Sequence, residues 1–286
     1  MFNISDTRID QLMAEDVPYF DLTTTLCGIE GQAGKLEYYT RENCILAGTQ
    51  FVKKMAAHTD ATVIDCAHDG DAIEAGATFM TVEGPAEALL MLWKAGLNVF
   101  DRCSAVATRT RAIVDAAHAG NPDCEIVTTR KSMPGAKDLL TCAILAGGAY
   151  PHRLGLSETV LIFSEHYNFM GGFEGLVQTL PDIRANSVEK RVFVEASAEQ
   201  ARVLARGIEG KALVDGIQLD KMPVEEMTDL VREIRAIDPH IVLIAAGGIN
   251  QSNAEAYAAT GVNGIATTAP FNAAALDMSA RIFPLE

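Results

Sequence analysis

Polar and apolar positions divide the chain into two kinds of rhythm. Over the first 85 residues, β-like runs occupy Lys35–Tyr39, Cys44–Ala47, Ala61–Cys66 and Thr78–Val82, after a predicted helix near Asp6–Glu15. Asp69-Gly70-Asp71 and Glu83-Gly84-Pro85 read as turns between or after these runs. The combination predicts a small α+β domain. From Pro85 to His118 the apolar positions, among them Leu89, Leu92, Trp93, Phe100 and Val106, follow a helical period, and the pattern closes at Gly120-Asn121-Pro122. One helix, or two meeting near Gly96, would fit equally.

Beyond Pro122, short β runs alternate with helical stretches. The runs are Glu125–Thr129, Thr159–Phe163, Arg191–Val194, Ala212–Leu219, Ile241–Ala246 and Asn263–Thr267. Ser197 to Gln200 and Ser252 to Glu255 have the form of capping boxes, and Pro223 suits a first helical turn. Repeated βα units predict a parallel sheet with helices outside it, in the form of a barrel or partial barrel rather than a doubly wound sheet. No GxGxxG follows the first of these runs, which weakens a dinucleotide-binding alternative.

Composition changes the picture in what it excludes. The 286 residues carry 38 acidic and 23 basic side chains, a formal charge of −15, with 49% apolar residues. Such a chain can bury a real core, and it lacks the concentrated Lys and Arg with which nucleic acid or an anionic membrane is bound. Its longest weakly polar stretch, Leu139–Tyr150, falls well short of the ~20 residues a membrane-spanning helix needs. With a charged start, Met1–Asp16, that has no signal-peptide pattern, the expectation is a cytoplasmic protein. The six cysteines form no CxxC pair and read as buried thiols, while His68-Asp69-Gly70-Asp71 reads as a hairpin turn rather than a metal site.

In α/β barrels the chemistry sits just beyond the C-terminal ends of the strands. Applied here, that rule collects Arg130 and Lys131, Glu165 and His166, Glu195, Asp220 and Lys221, Gly247 and Gly248, and Thr267 and Thr268. Lys137, His152 and Arg153 lie between the first two runs, so an acidic chain concentrates base at one mouth, as an anion pocket requires. Glu195 and Asp220 suit a divalent ion or a developing positive charge. The glycine pair and the threonine pair suit a phosphate held by N–H and hydroxyl donors.

Thr128-Thr-Arg-Lys-Ser-Met-Pro-Gly135 and Ala146-Gly-Gly-Ala-Tyr-Pro-His-Arg-Leu-Gly-Leu-Ser157 resemble the paired signatures of the quinolinate phosphoribosyltransferase family, also called nicotinate-nucleotide pyrophosphorylase (carboxylating). The likeness extends to Glu15-Asp16, Asp21-Leu-Thr-Thr24, Thr40-Arg-Glu-Asn43, Asp69-Gly-Asp71, Glu83-Gly-Pro85, Leu97-Asn98, Leu219-Asp220 and Gly247-Gly-Ile249, nearly the whole chain. The resemblance implies an N-terminal α/β sandwich over residues 1–107, with the tail 270–286 packing on it, and an open α/β barrel over residues 108–269. It also implies a homodimer or larger homo-oligomer that joins a pyridine nitrogen to C1 of phosphoribosyl pyrophosphate (PRPP) and expels pyrophosphate with magnesium; the parent enzyme also loses CO2. By the same resemblance Lys131, Glu195 and Asp220 are catalytic, with the magnesium-bound pyrophosphate near the two carboxylates. Lys94, Arg130, His152 and Arg153 bind a heterocyclic carboxylate, and Gly247, Gly248, Thr267 and Thr268 hold the 5′-phosphate.

Several positions depart from the family pattern. Lys94 stands where the family has an arginine donated across the dimer, and Phe163 where it has a lysine facing the acceptor. Lys221 replaces an asparagine, Phe193 a carboxylate and Ala245 a glutamate. These departures are similar to those of the ModD branch, proteins associated with molybdate-transport operons, and the loss of cations predicts an acceptor with fewer charges. Two other readings remain at this stage: a non-catalytic sensor of a nucleotide or an oxyanion linked to molybdate uptake, against which both retained carboxylates argue, and an unrelated barrel enzyme using Lys131 as a Schiff base.

Overall fold

The computed structural model describes residues 3–207 and 212–285. They form two compact units, one of residues up to 111 with 132–148 and from 270 on, the other of residues 112–131 with 149–269. In the first, helix α1 (Asp6–Ala14) starts at Ser5, whose Oγ accepts from Arg8 N, and α2 (Leu22–Cys27), which the pattern did not predict, starts at Asp21 through bonds from Thr23 N and Thr24 N. Strands β1 (Ala33–Tyr39) and β2 (Cys44–Ile45) lead to α3 (Thr49–His58), a second helix missing from the sequence reading, and then to β3 (Thr62–Cys66), β4 (Ala72–Ile73) and β5 (Thr78–Pro85).

Two expected turns have other roles. Glu83-Gly84-Pro85 lies inside β5, paired with β1 through Gly34↔Gly84 and Ala33↔Pro85. A Cβ on Gly84 would come within 3.1 Å of the Ala61 Cα, so this glycine serves a close approach between segments. His68–Asp71 is a turn, with Gly70 at φ +97° and Asp71 N donating to the His68 carbonyl at 3.1 Å. The strands on either side of it pair with β5 and with β2, so it is not a hairpin. Among the described residues no group of three or more His, Cys, Asp or Glu could hold a metal ion.

Helix α4 (Ala86–Gly120) is continuous. Gly96 makes room for Tyr38, whose hydroxyl would meet a Cβ at 2.3 Å and which donates to the Leu92 carbonyl at 2.9 Å. The next elements are β6 (Glu125–Thr128), then α5 (Lys137–Gly147), which belongs to the first unit, and β7 (Tyr150–Pro151) and β8 (Val160–Ile162). They are followed by α6 (Ser164–Tyr167), α7 (Phe173–Ala185), β9 (Val192–Glu195), α8 (Ala198–Arg206), β10 (Gly216–Asp220), α9 (Val224–Ile237), β11 (Val242–Ala246), α10 (Ala254–Ala258), β12 (Gly264–Thr267) and β13 (Ser279–Pro284). β13 returns to the first unit and completes its antiparallel sheet in the order β13-β1-β5-β3. No helix among the described residues is long and apolar enough to cross a membrane.

In the second unit seven parallel strands run in the order β7-β6-β12-β11-β10-β9-β8, an open α/β barrel, one of the two forms that the βα rhythm allows. The Ser197 capping box forms, with Gln200 N donating to Ser197 Oγ and Ser197 N to Gln200 Oε1. The box expected at Ser252 does not: Asn250 Oδ1 accepts from both Ser252 N and Ser252 Oγ, and the helix begins only at Ala254. The strand expected from Ala212 likewise starts at Gly216, because Asp215 is tied to Val192 N and Arg184.

Alternation along the strands puts Leu161, Phe193 and Ile244 on one face, where they cluster with Val127, Ala246 and Ala266. Phe193 fits because it faces Gly216 across β9 and β10; a Cβ there would lie 2.1 Å from its ring. Gly216→Ala is therefore expected to lower stability by about 1–3 kcal/mol through overpacking. Urea unfolding measures this, and an unchanged midpoint would show that the ring does not depend on the bare Cα.

Candidate active site

Beyond this apolar layer the strand ends turn polar. Thr128 pairs with Thr267 and with Pro151, so β6, β12 and β7 end level with one another. Past them, Thr129 Oγ1 and Thr268 Oγ1 share a hydrogen bond of 2.8 Å, and Lys131 N donates to Thr129 Oγ1 at 3.3 Å. This clasp fixes the start of the loop that carries Arg130 and Lys131, both exposed. Thr267 is committed to the fold: its hydroxyl donates to the Ile249 carbonyl at 2.6 Å and accepts from Ala269 N at 3.0 Å. The hydroxyl left for a ligand at this strand end is that of Thr268.

At the end of β11, Gly247 and Gly248 have φ of +88° and +75°. A Cβ on Gly247 would meet Lys221 N at 2.6 Å and Asp220 Oδ1 at 2.7 Å, whereas nothing stands within 4 Å of a Cβ on Gly248. Gly247 thus lets two strand ends meet, and Gly248 leaves its backbone open to an incoming group. Asn250 and Asn253 steady the loop by donating to the Gly248 carbonyl.

The carboxylates come from neighbouring strands. Glu195 pairs in register with Gln218, whose Nε2 donates to Glu195 Oε2 at 2.7 Å. Burial raises the Glu195 pKa; the Gln218 hydrogen bond opposes this, Asp220 and Glu165 push it further up, and Lys131 draws it down. Asp220, at the end of β10, has Lys221 Nζ at 4.0 Å from its Oδ2. Gln218 is the site residue that the sequence reading missed, although its alternation with Asp220 on β10 was a usable signal.

His152 and Arg153 follow β7. His152 N donates to the Thr128 carbonyl at 2.9 Å, and the imidazole meets the Phe193 ring edge-on at 6.3 Å. Its Nε2 is buried without a hydrogen-bond partner, and burial, then Arg153, lowers its pKa, so the ring is neutral at pH 7. Arg153 is the one charged residue that is buried among those described, at 8% exposure. Its hydrogen bond goes to the Thr159 carbonyl at 3.3 Å, and burial, then Arg130, lowers its pKa while Glu158 raises it. A charge so placed needs an anion.

The structure brings Arg130, Lys131, His152, Arg153, Glu195, Asp220, Gly247, Gly248, Thr267 and Thr268 to one edge of one parallel sheet. Lys94 belongs to the first unit, exposed on α4 with Nζ 4.5 Å from the centroid of the Trp93 ring, and Lys137 belongs to that unit as well.

Residues 106–281 match the C-terminal domain model of quinolinate phosphoribosyl transferase, and residues 21–104 match its N-terminal domain model. The chain belongs to the quinolinate phosphoribosyltransferase family. Within the family it is 31% identical over 284 residues to "Putative pyrophosphorylase ModD" of Escherichia coli O127:H6, covering 99% of each chain. It is 36% identical over 254 residues to the protein of the same name from Rhodobacter capsulatus, covering 89% of this chain and 96% of that one. Its fold superposes with a TM-score of 0.86 on the crystal structure of nicotinate-nucleotide pyrophosphorylase from Ehrlichia chaffeensis, at 25% identity over 98% of this chain and 100% of that one.

Proposed function

We propose that this family member transfers the 5-phosphoribosyl group of PRPP to the ring nitrogen of a pyridine-carboxylate-like acceptor and releases pyrophosphate. Family membership and the fold support a PRPP-dependent pentosyltransferase. The observation that carries the acceptor half is Arg153, buried, charged and given one carbonyl by the protein. Its planar fork suits a carboxylate, with the partnerless His152 Nε2 beside it and exposed Arg130 at the mouth.

In this reading the ring nitrogen forms a bond to C1 of the ribose, and the C1–O bond to pyrophosphate breaks with its electron pair leaving on oxygen. Glu195 and Asp220 face the positive charge that develops at C1, and Lys131 lies between acceptor and PRPP. Gly248 N–H and Thr268 Oγ1 receive the 5′-phosphate, in a loop shaped by Gly247 and closed by Thr267. The two carboxylates on adjacent strand ends suit magnesium that arrives on the pyrophosphate, where it would neutralise the leaving group. The family pattern assigns Lys94 to the acceptor from a second copy of the chain, so a homodimer or larger assembly belongs to the proposal.

Calorimetry with magnesium and PRPP is expected to show binding, and pyrophosphate is expected to be released when a pyridine carboxylate is added. Lys131→Ala should cut that release by about 10²-fold or more. Failure of the wild type to bind PRPP, or an unaltered rate in Lys131→Ala, contradicts the proposal.

A further inference from the structure

The acceptor subsite carries more information than a carboxylate anchor. Its floor is the Phe193 ring, seated over the bare Cα of Gly216 and braced by the edge of His152. Beside the floor are one buried cation, Arg153, and one neutral imidazole with a buried, unpaired Nε2. The side wall comes from β8. Ile162 pairs with Val194, so Phe163 stands level with Glu195 on the neighbouring strand, half-buried against the apolar cluster of Leu161 and Phe193. Phe163 is held there: its N–H donates to His166 Nδ1 at 3.0 Å, and the two rings stack at 5.9 Å.

We infer that the acceptor is a planar heteroaromatic acid with a single carboxylate, and that Phe163 is the residue that selects it. This rests on the phosphoribosyltransferase reading and narrows its substrate class. One carboxylate takes the Arg153 fork and the His152 Nε2, and the flat ring lies against the aromatic floor. A second carboxylate, as in quinolinate, would have to shed water against the Phe163 ring with Glu195 next to it, where the Lys131 charge is already drawn on by Glu195. The reaction then balances without decarboxylation: the ring nitrogen supplies the pair for the new bond, pyrophosphate leaves with the pair from C1–O, and the carboxylate stays on the ring.

The test compares nicotinate with quinolinate as acceptors for the full-length wild type and for Phe163→Lys, following pyrophosphate and CO2 release with PRPP and magnesium. The wild type should prefer nicotinate in kcat/KM by at least about tenfold, with no CO2 released. Phe163→Lys should shift the ratio toward quinolinate by a similar factor. A wild type that prefers quinolinate, or whose ratio is unmoved by Phe163→Lys, overturns the inference and leaves the phosphoribosyltransferase reading standing, whereas one that binds PRPP and turns over neither acid overturns the pyridine-carboxylate acceptor as well. Absence of PRPP binding overturns that reading itself. Should Phe163→Lys fail to fold, the wild-type preference alone decides.

Discussion

Arg153→Ala is expected to lower kcat/KM for the acceptor by about a hundred- to a thousandfold while leaving the fold as stable as the wild type or more so. The two effects have one origin. Arg153 exposes 8% of its surface, and the protein returns its guanidinium a single carbonyl, that of Thr159, at 3.3 Å. Burial and the Arg130 charge both oppose its ionised form, with Glu158 as the partial counterweight. A group in that position weakens the unliganded fold and strengthens an anion complex, because desolvation that has already taken place is not repeated on binding.

Thermal melts separate this role from a structural one. An arginine that held the fold together would lower Tm when truncated; a preorganised anchor does not. Adding the acceptor acid should raise the Tm of the wild type and leave that of Arg153→Ala where it was. Arg153→Lys should not restore turnover, since a point charge cannot match both oxygens of a carboxylate as the fork does. A drop in Tm with no ligand effect in the wild type would sink the assignment.

Much of this site was legible in the sequence because of one rule and one period. Strand ends in a βα barrel carry the chemistry, so Glu195, Asp220 and the glycine pair of 247 and 248 could be named from the pattern alone, whereas Gln218 needed the period-two alternation as well. What the pattern hides is who already has a partner. Thr267 and Thr268 look equivalent along the chain, yet the hydroxyl of the first is spent on Ile249 and Ala269, while that of the second shares its bond with Thr129. Gly84 and Gly216 read as a turn and as an unremarked strand residue, and both owe their place to a neighbour distant in sequence, Ala61 and Phe193. The Ser252 box failed for a similar reason, since Asn250 competed for the same hydroxyl. Helix α3 escaped notice because its start rests on a contact that spacing does not display, a bond from Thr49 N to the remote Asp69, whereas α2 starts at a local cap, Asp21, that the sequence does offer.

The second large effect belongs to Glu195→Gln, which should reduce turnover by about 10²–10³-fold and at the same time raise Tm at neutral and alkaline pH. Burial, Asp220 and Glu165 lift the Glu195 pKa above its ordinary value of 4.5, against the hydrogen bond from Gln218 and the Lys131 charge. A carboxyl whose folded pKa is raised favours the fold in its protonated form; that contribution is complete below the ordinary glutamate pKa and is lost as pH rises through the folded value. At pH 7 to 8 the ionised wild type therefore carries a penalty that the neutral glutamine lacks, and the glutamine Oε1 can still accept from Gln218 Nε2. The Tm difference should shrink toward zero as pH falls below about 4.5. Such a trade of stability for a negative charge at C1 of the ribose is what transition-state stabilisation requires of this position: the carboxylate is held ionised beside Asp220 against its own repulsion, and the charge developing at the anomeric carbon relieves it. A Glu195→Gln protein that melts below the wild type at pH 8, or that retains full turnover, would place Glu195 among the residues that merely close the rim.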